Sequence, residues 1–326
     1  MQAEDRVVLD EGVVEGGARD RTAREADDHD PALEGDDLGG LGVGLAADGV
    51  VDHVRAASAG RLLDGTDDVL GAPVDDDVTA QLARHGGFAE YAVADAAALL
   101  PAPEALDDAA AAALHIGYQT GWFGLHRRAG LEAGETLLVH AAAGGVGSAA
   151  VQLGKAAGAT VIGVVGGAAK ASVARELGCD VVIDRREQDV VAAVKEATGG
   201  RGADVIYDPV GGQAYAQSAK AVAFEGRIVV VGFASGSIPS PALNHALVKN
   251  YAILGLHWGL YNTRNPKLVQ HCHERLTELA ARGAIKPLVS ERVPLAGAAD
   301  AVQRVADGVT TGRVAVLPSP ENGAAA

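Results

Sequence analysis

Cysteine is almost missing from this chain of 326 residues: only Cys179 and Cys272 occur. Two thiols cannot build a disulfide framework or a four-cysteine zinc lobe. Such sparing use suits a reducing cytoplasm. Positive charge is also short, with 27 Lys and Arg against 43 Asp and Glu and a net charge of −16. That balance argues against a nucleic-acid or anionic-membrane surface. No apolar run is long enough to span a bilayer, and the acidic N-terminus lacks the apolar stretch of a secretory signal. Aromatic residues make up 4% of the chain, yet 48% of it is hydrophobic, enough for a sizeable core.

The shortages are not evenly spread. Residues 1–84 hold 21 of the acids and 7 of the bases, so they carry −14 of the total charge. They contain no Phe, Trp, Tyr or Lys, and Met1 is the sole methionine of the chain. Clusters such as Asp27-Asp28-His29-Asp30 have little to bury. Such a break in composition marks a boundary near residue 85.

Beyond it, strand and helix patterns alternate. Phe88–Val93 alternates like a half-buried strand, and Asp107-Asp108 can open a helix through the Ala-rich stretch that follows. Strands are expected at 136–140, 160–165, 181–183, 204–207, 227–231 and 252–254. Helices are expected at 147–157, 169–177, 190–197, 213–222 and 266–282. Short apolar strands separated by helices predict a parallel, doubly wound α/β sheet of the Rossmann type with right-handed crossovers. Past Lys286-Pro287, the runs 288–293 and 313–317 flank one more helix, and 318–326 reads as a mobile tail.

The most telling run is Leu137-Leu138-Val139-His140-Ala141-Ala142-Ala143-Gly144-Gly145-Val146-Gly147. It reads as a buried strand, a glycine turn and the start of a helix. The turn, Ala142-x-Gly144-x-x-Gly147, departs from strict G-x-G-x-x-G and is weak evidence alone. Its strand-before, helix-after setting is what points to a dinucleotide. Free N–H groups at a helix start can hold a diphosphate. An NAD site usually has an acid about 20 residues beyond such a turn. Here the second strand ends Val164-Val165-Gly166-Gly167, followed by Lys170 and, after the third strand, Arg185-Arg186. Glycine leaves room for a 2′-phosphate and cations would pair with it, which favours NADPH over NADH.

Together, Gly134-Glu135, Leu138, the glycine turn, Gln152 and Lys155 resemble the signature of the quinone oxidoreductase and zeta-crystallin branch of the medium-chain dehydrogenases and reductases. The likeness runs from about Gly86 to Pro318. It includes Gly86-Gly87-Phe88-Ala89-Glu90-Tyr91, Tyr118-Gln119-Thr120, Tyr207-Asp208-Pro209-Val210-Gly211-Gly212, Gly226–Gly232 and Gly312-Arg313-Val314. The resemblance implies a zinc-independent, NADPH-dependent reductase of quinones or of another activated acceptor such as an enone. It implies a homodimer paired through the strand near Tyr251–Gly255. It places Ala143, Gly144, Gly145, Val146 and Gly147 on the diphosphate and Lys170 and Arg185 at the 2′-phosphate. Thr120, Val210, Gly211, Phe233 and Ser235 fall near the nicotinamide, and Arg313 reaches back to the cofactor. The implied division has an NADPH-binding domain at 111–284. A β-rich chaperonin-10-like catalytic domain would draw on residues 86–110 and 285–317.

No Gly-His-Glu zinc segment is present. His271-Cys272-His273 lies on an expected helix, where adjacent residues point about 100° apart and cannot converge on one ion. These three read as surface polar residues. No Ser/His/Asp or Cys/His set stands out, and Tyr91, Tyr118 and Tyr207 read equally well as pocket walls. Residues 1–85 lack the motifs that the family carries there. A divergent domain, an acidic extension and a stretch read in the wrong frame all fit them. Binding of a cofactor without turnover is therefore a third functional reading.

Overall fold

The computed structural model describes residues 88–89 and 99–318. The acidic segment, most of the strand expected at 88–93, Tyr91 and the tail from 319 lie outside the described residues.

Strand β1 (Thr136–His140) and α2 (Gly145–Ala156) form the first unit around the glycine turn, after helix α1 (Asp108–Trp122). Asp107 caps α1 by accepting the Ala110 N–H at 2.8 Å, and the helix passes straight into a π-helical turn at Phe123–Arg128. Then come β2 (Thr160–Val165), α3 (Ala168–Glu176), β3 (Val181–Asp184), α4 (Val190–Ala197), β4 (Ala203–Asp208), α5 (Gly212–Ala221) and β5 (Val222–Val230). The chain continues through α6 (Leu243–Lys249), β6 (Ala252–Gly255), α7 (Leu260–Arg264) and α8 (Pro266–Ala281). All six strands pair in parallel in the order β3-β2-β1-β4-β5-β6. This is the doubly wound sheet expected from the sequence. Its order reverses between β1 and β4, and ligands bind such sheets at that point, outside the carboxyl ends of the strands.

Both faces are covered, so the strands read as apolar runs rather than alternating ones. Leu137, Val139, Val205 and Tyr207 pack on one side with Leu114, Leu153, Cys272 and Leu276. Leu138, Ile162, Ile206 and Ile228 pack on the other with Val190, Val194 and Tyr215. Helix α2 approaches β1 closely: a Cβ on Gly154 would stand 2.5 Å from Leu137 Cδ2. Leu137 is fully buried and fills that contact. Leu137→Ala is expected to cost about 3 kcal/mol of stability through the cavity it leaves, read as a lower urea midpoint at constant slope.

Beyond the sheet, β7 (Val289–Pro294), α9 (Ala298–Ala306) and β8 (Arg313–Leu317) follow, with β7 and β8 paired in parallel. Just before β8, Gly312 docks on the glycine turn: its N–H donates to the Ala143 carbonyl at 2.8 Å, and Gly144 and Gly312 form a bridge.

Candidate functional site

The glycine turn forms for steric reasons. Ala141 turns the chain at φ 51°, and Gly144 N–H donates to the Ala141 carbonyl at 2.8 Å. A Cβ on Gly147 would collide with that same carbonyl and lie 3.1 Å from Ala142 Cα. Gly144 then sits at the N-cap with no side chain to close the helix. Gly145, Val146 and Gly147 open α2, and the first N–H groups of a helix have no partner within it. Ala143 is buried, and Gly144 spends its N–H on the Ala141 carbonyl, so the open donors of the helix start are those of Gly145, Val146 and Gly147.

Arg313 completes this end. It is 4% exposed, and a Cβ on Gly145 would stand 2.5 Å from its Nε. A Cβ on Gly117 of α1 would lie 3.0 Å from its Nη2. Glycines on two helices thus make room for one guanidinium. A cation at the positive end of a helix is unfavourable by itself, whereas an anion there is stabilised by both. The donor set fits a diphosphate.

The ends of β2 and β3 carry the cations expected from the sequence. A Cβ on Gly166 would be 3.3 Å from Arg185 Nη2, and one on Gly167 would be 3.2 Å from Arg186 Nη1. Lys170 stands in their field. Burial, then Arg186 and Arg185, hold its ammonium below the ordinary lysine range. Its Nζ donates to the Gly308 carbonyl at 2.6 Å, which ties α3 to the segment after α9. One acid stands here, but Asp184 is committed to the turn: it accepts the Gly167 N–H at 2.9 Å and the Arg186 N–H at 3.0 Å. Two arginines flank a carboxylate already engaged, with Lys170 beside them. Arg186 is among the cations expected here from the sequence, although the family resemblance assigns only Lys170 and Arg185 to the 2′-phosphate. Its place over Gly167 depends on how β3 turns, which charge counting does not reveal.

Val210, Gly211, Phe233 and Ser235 come together at the ends of β4 and β5. Val210 and Gly211 both donate to Asp208 Oδ1 at 2.9 Å. The Val210 carbonyl accepts the Ser235 N–H at 3.0 Å, and Pro209 accepts Ala234 at 3.1 Å. A Cβ on Gly211 (φ 67°) would lie 2.8 Å from Phe233 Cδ1. The two loops are therefore stitched into one ledge. Both backbone polar groups of Val210 are used inside it, so only its side chain is left to meet a ligand.

Thr120 is buried on α1, one turn beyond Gly117. Its neighbour Gln119 accepts the Trp258 indole N–H at 3.0 Å. Tyr118 and Tyr207 are buried in the apolar core, and burial pushes both phenols well above their usual range.

The triplet His271-Cys272-His273 is not the surface cluster expected. Cys272 and His273 are buried on α8, where Val269, Cys272, Leu276 and Ala280 form the helix's inward stripe. His273 Nε2 donates to the Pro101 carbonyl at 2.7 Å. The stripe is apolar at every third or fourth position, which decides the burial over the polarity of one side chain. Among the described residues, no three His, Cys, Asp or Glu side chains are grouped to hold a metal ion.

Residues 145–274 match the model of a family described as zinc-binding dehydrogenase. The chain is 38% identical to the quinone oxidoreductase-like protein 2 homolog of Nematostella vectensis, over 71% of this chain and 64% of that protein. It thus spans about two thirds of the length of the curated relatives it matches. Quinone oxidoreductase of Escherichia coli, solved in complex with NADPH, superposes with a TM-score of 0.63 at 33% identity and 68% coverage of each chain. A 2-haloacrylate reductase superposes with a TM-score of 0.61 at 30% identity, covering 68% of this chain and 69% of that one.

Proposed function

The chain belongs to the zinc-independent quinone oxidoreductase family of the medium-chain dehydrogenases and reductases, and on that premise we propose that it binds NADPH and uses it to reduce a quinone. One observation carries the cofactor reading: Lys170, Arg185 and Arg186 surround the glycine end of β2, where an NAD site would hold an acid. The N-terminus of α2 and Arg313 would take the diphosphate, and the ledge from Val210 to Ser235 would face the nicotinamide. Bound there, the cofactor supplies a hydride. The residues of this chain would fix its position and exclude water. No side chain is assigned as proton donor, because a reduced quinone can draw its proton from solvent.

The 2-haloacrylate reductase among the structural neighbours favours a second acceptor, an activated C=C bond. A panel of quinones and enones with NADPH separates the two. Enhanced NADPH fluorescence with no oxidation under any acceptor would mark binding without turnover.

The family division also serves as a proposal: residues 111–284 hold the nucleotide, and 285–317 return to a catalytic domain with 86–110. The two thiols suit a cytoplasmic protein. We place a homodimer contact at β6, which ends the sheet among the described residues and offers an edge for pairing. Leu243, Leu247 and Val248 on the preceding α6 are each more than 70% exposed, as a covered surface would require.

The cations predict a pH profile. NADPH affinity weakens below about pH 6, where a phosphate monoester takes up its second proton. It weakens again on the alkaline side. Lys170 loses its charge at a lower pH than an ordinary lysine, because burial, Arg186 and Arg185 all disfavour the ammonium. NADH affinity stays flat across both limbs. Titrations of the two nucleotides at several pH values check this, and parallel profiles would remove the phosphate from the reading.

A further inference from the structure

At the switch point of the sheet lies a carboxylate whose charge the fold leaves unanswered. Asp208 ends β4, beside β1, and is 1% exposed. Its Oδ1 accepts the two N–H groups of the ledge. Its Oδ2 is buried with no hydrogen-bond partner. None of the ion pairs among the described residues includes it. A buried charge left so is costly, and proteins normally answer it with a cation or a donor.

Two titratable groups stand in its field, and neither supplies one: the Tyr215 hydroxyl is itself buried without a hydrogen-bond partner, and the imidazole at the end of β1 has no proton to offer. His140 ends β1 on the same face of the sheet and is buried. Its Nε2 lies 2.9 Å from Ser218 Oγ, and that hydroxyl donates its single hydrogen to the Ala214 carbonyl at 2.9 Å. Ser218 must therefore accept, so the imidazole proton sits on Nε2 and points at Ser218. Nδ1 is left as a lone pair, and burial favours the neutral ring, outweighing the pull of the Asp208 carboxylate toward the charged one, with Arg185 acting in the same sense as burial. His140 has no proton for Asp208.

The rest of the inference depends on the proposed NADPH site. A doubly wound sheet divides a dinucleotide between its two halves. The cations at β2 and β3 claim the adenosine half, which leaves β4 to β6 for the nicotinamide. The nicotinamide ring carries a positive charge when oxidised and none when reduced. We propose that Asp208 is an electrostatic positioning residue, holding the nicotinamide ledge through Oδ1 and favouring the cationic, oxidised ring through its unanswered charge. In the transfer, one hydrogen leaves the ring with both electrons of its C–H bond for the acceptor, and the acceptor's proton comes from solvent. Asp208 touches no reacting atom. It stabilises the charge that the departing hydride leaves behind, and so makes the bound cofactor a stronger reductant.

The test is calorimetric titration of the full chain with NADPH and, separately, with NADP+. Asp208→Asn keeps an acceptor for both ledge N–H groups but loses the charge. NADPH affinity should stay within about twofold while NADP+ affinity falls roughly tenfold, as expected for one charge removed in a medium of intermediate dielectric. Asp208→Ser also retains a hydroxyl acceptor without charge, and should shift the same ratio if the amide variant folds poorly. An unchanged ratio of the two affinities in a variant that melts cooperatively overturns the proposal, as does equal weakening of both nucleotides. If the unmodified protein binds neither nucleotide, the functional reading beneath this inference falls with it. If it binds both, only the role of Asp208 is at stake.

Discussion

Gly147→Ala abolishes measurable binding of both NADPH and NADH in a titration, a loss of about a hundredfold or more. The methyl group has no room. Its position overlaps the Ala141 carbonyl and lies within 3.1 Å of Ala142 Cα, and both are backbone. A flexible side chain could swing away, but a backbone turn must open. Opening it moves the N–H groups of Gly145 to Gly147 off a common target, and a helix-terminal anion site depends on their convergence. Ala141 already holds φ 51°, a conformation that alanine tolerates poorly, so the turn has little slack. The substitution should also lower stability by about 2 kcal/mol, in the usual range for overpacking. A variant that folds and still binds either nucleotide within tenfold of the unmodified protein would show that the diphosphate is held elsewhere.

The second large effect separates the two nucleotides. Lys170→Ala should weaken NADPH roughly tenfold or more and leave NADH nearly unchanged. A hydrogen bond to a charged group contributes about 1.5–3 kcal/mol, and tenfold corresponds to about 1.4 kcal/mol. The ammonium has three donors, so it can keep the Gly308 carbonyl and still reach a phosphate. Adding Arg185→Ala should deepen the loss for NADPH alone. Arg185 is exposed, whereas Lys170 is partly buried, so the lysine carries the larger share. Equal losses for NADPH and NADH in either variant would move the cations from the 2′-phosphate to general surface charge.

Much of the architecture can be read from the chain because both faces of the sheet are covered. Thr136–His140 and Thr160–Val165 match the expected strands to the residue, since each is an apolar run bounded by turn residues. The expectation for β5 starts five residues late. Phe224 and Glu225 are exposed inside that strand and Glu225 stands at φ 58°, so they break the apolar run begun at Val222, and it resumes only at Ile228. Helices α6 and α7 bury no residue and run for only seven and five residues, too short for a helical period to stand out in the sequence. Among site residues, the cations near β2 are legible because charge after a strand end has few other uses. Asp208 is not. A lone aspartate before proline and glycine reads as a turn former, and only the fold reveals that one of its oxygens is orphaned. The link from Lys170 to Gly308 spans 138 residues and has no local signal at all.

The bridge between Gly144 and Gly312 sets an order on biogenesis. Strand β1 and its turn emerge from the ribosome long before the segment that clamps them. Until Gly312 arrives, the Ala143 carbonyl lacks its donor and Arg313 is absent from the helix end. A nascent chain halted between Gly255 and Gly312 has its sheet sequence complete but an unfinished nucleotide cradle. On the proposed function, tight loading of the pyridine nucleotide would wait for that segment, and the ligand would act as a seal on a finished molecule rather than as a template for a growing one.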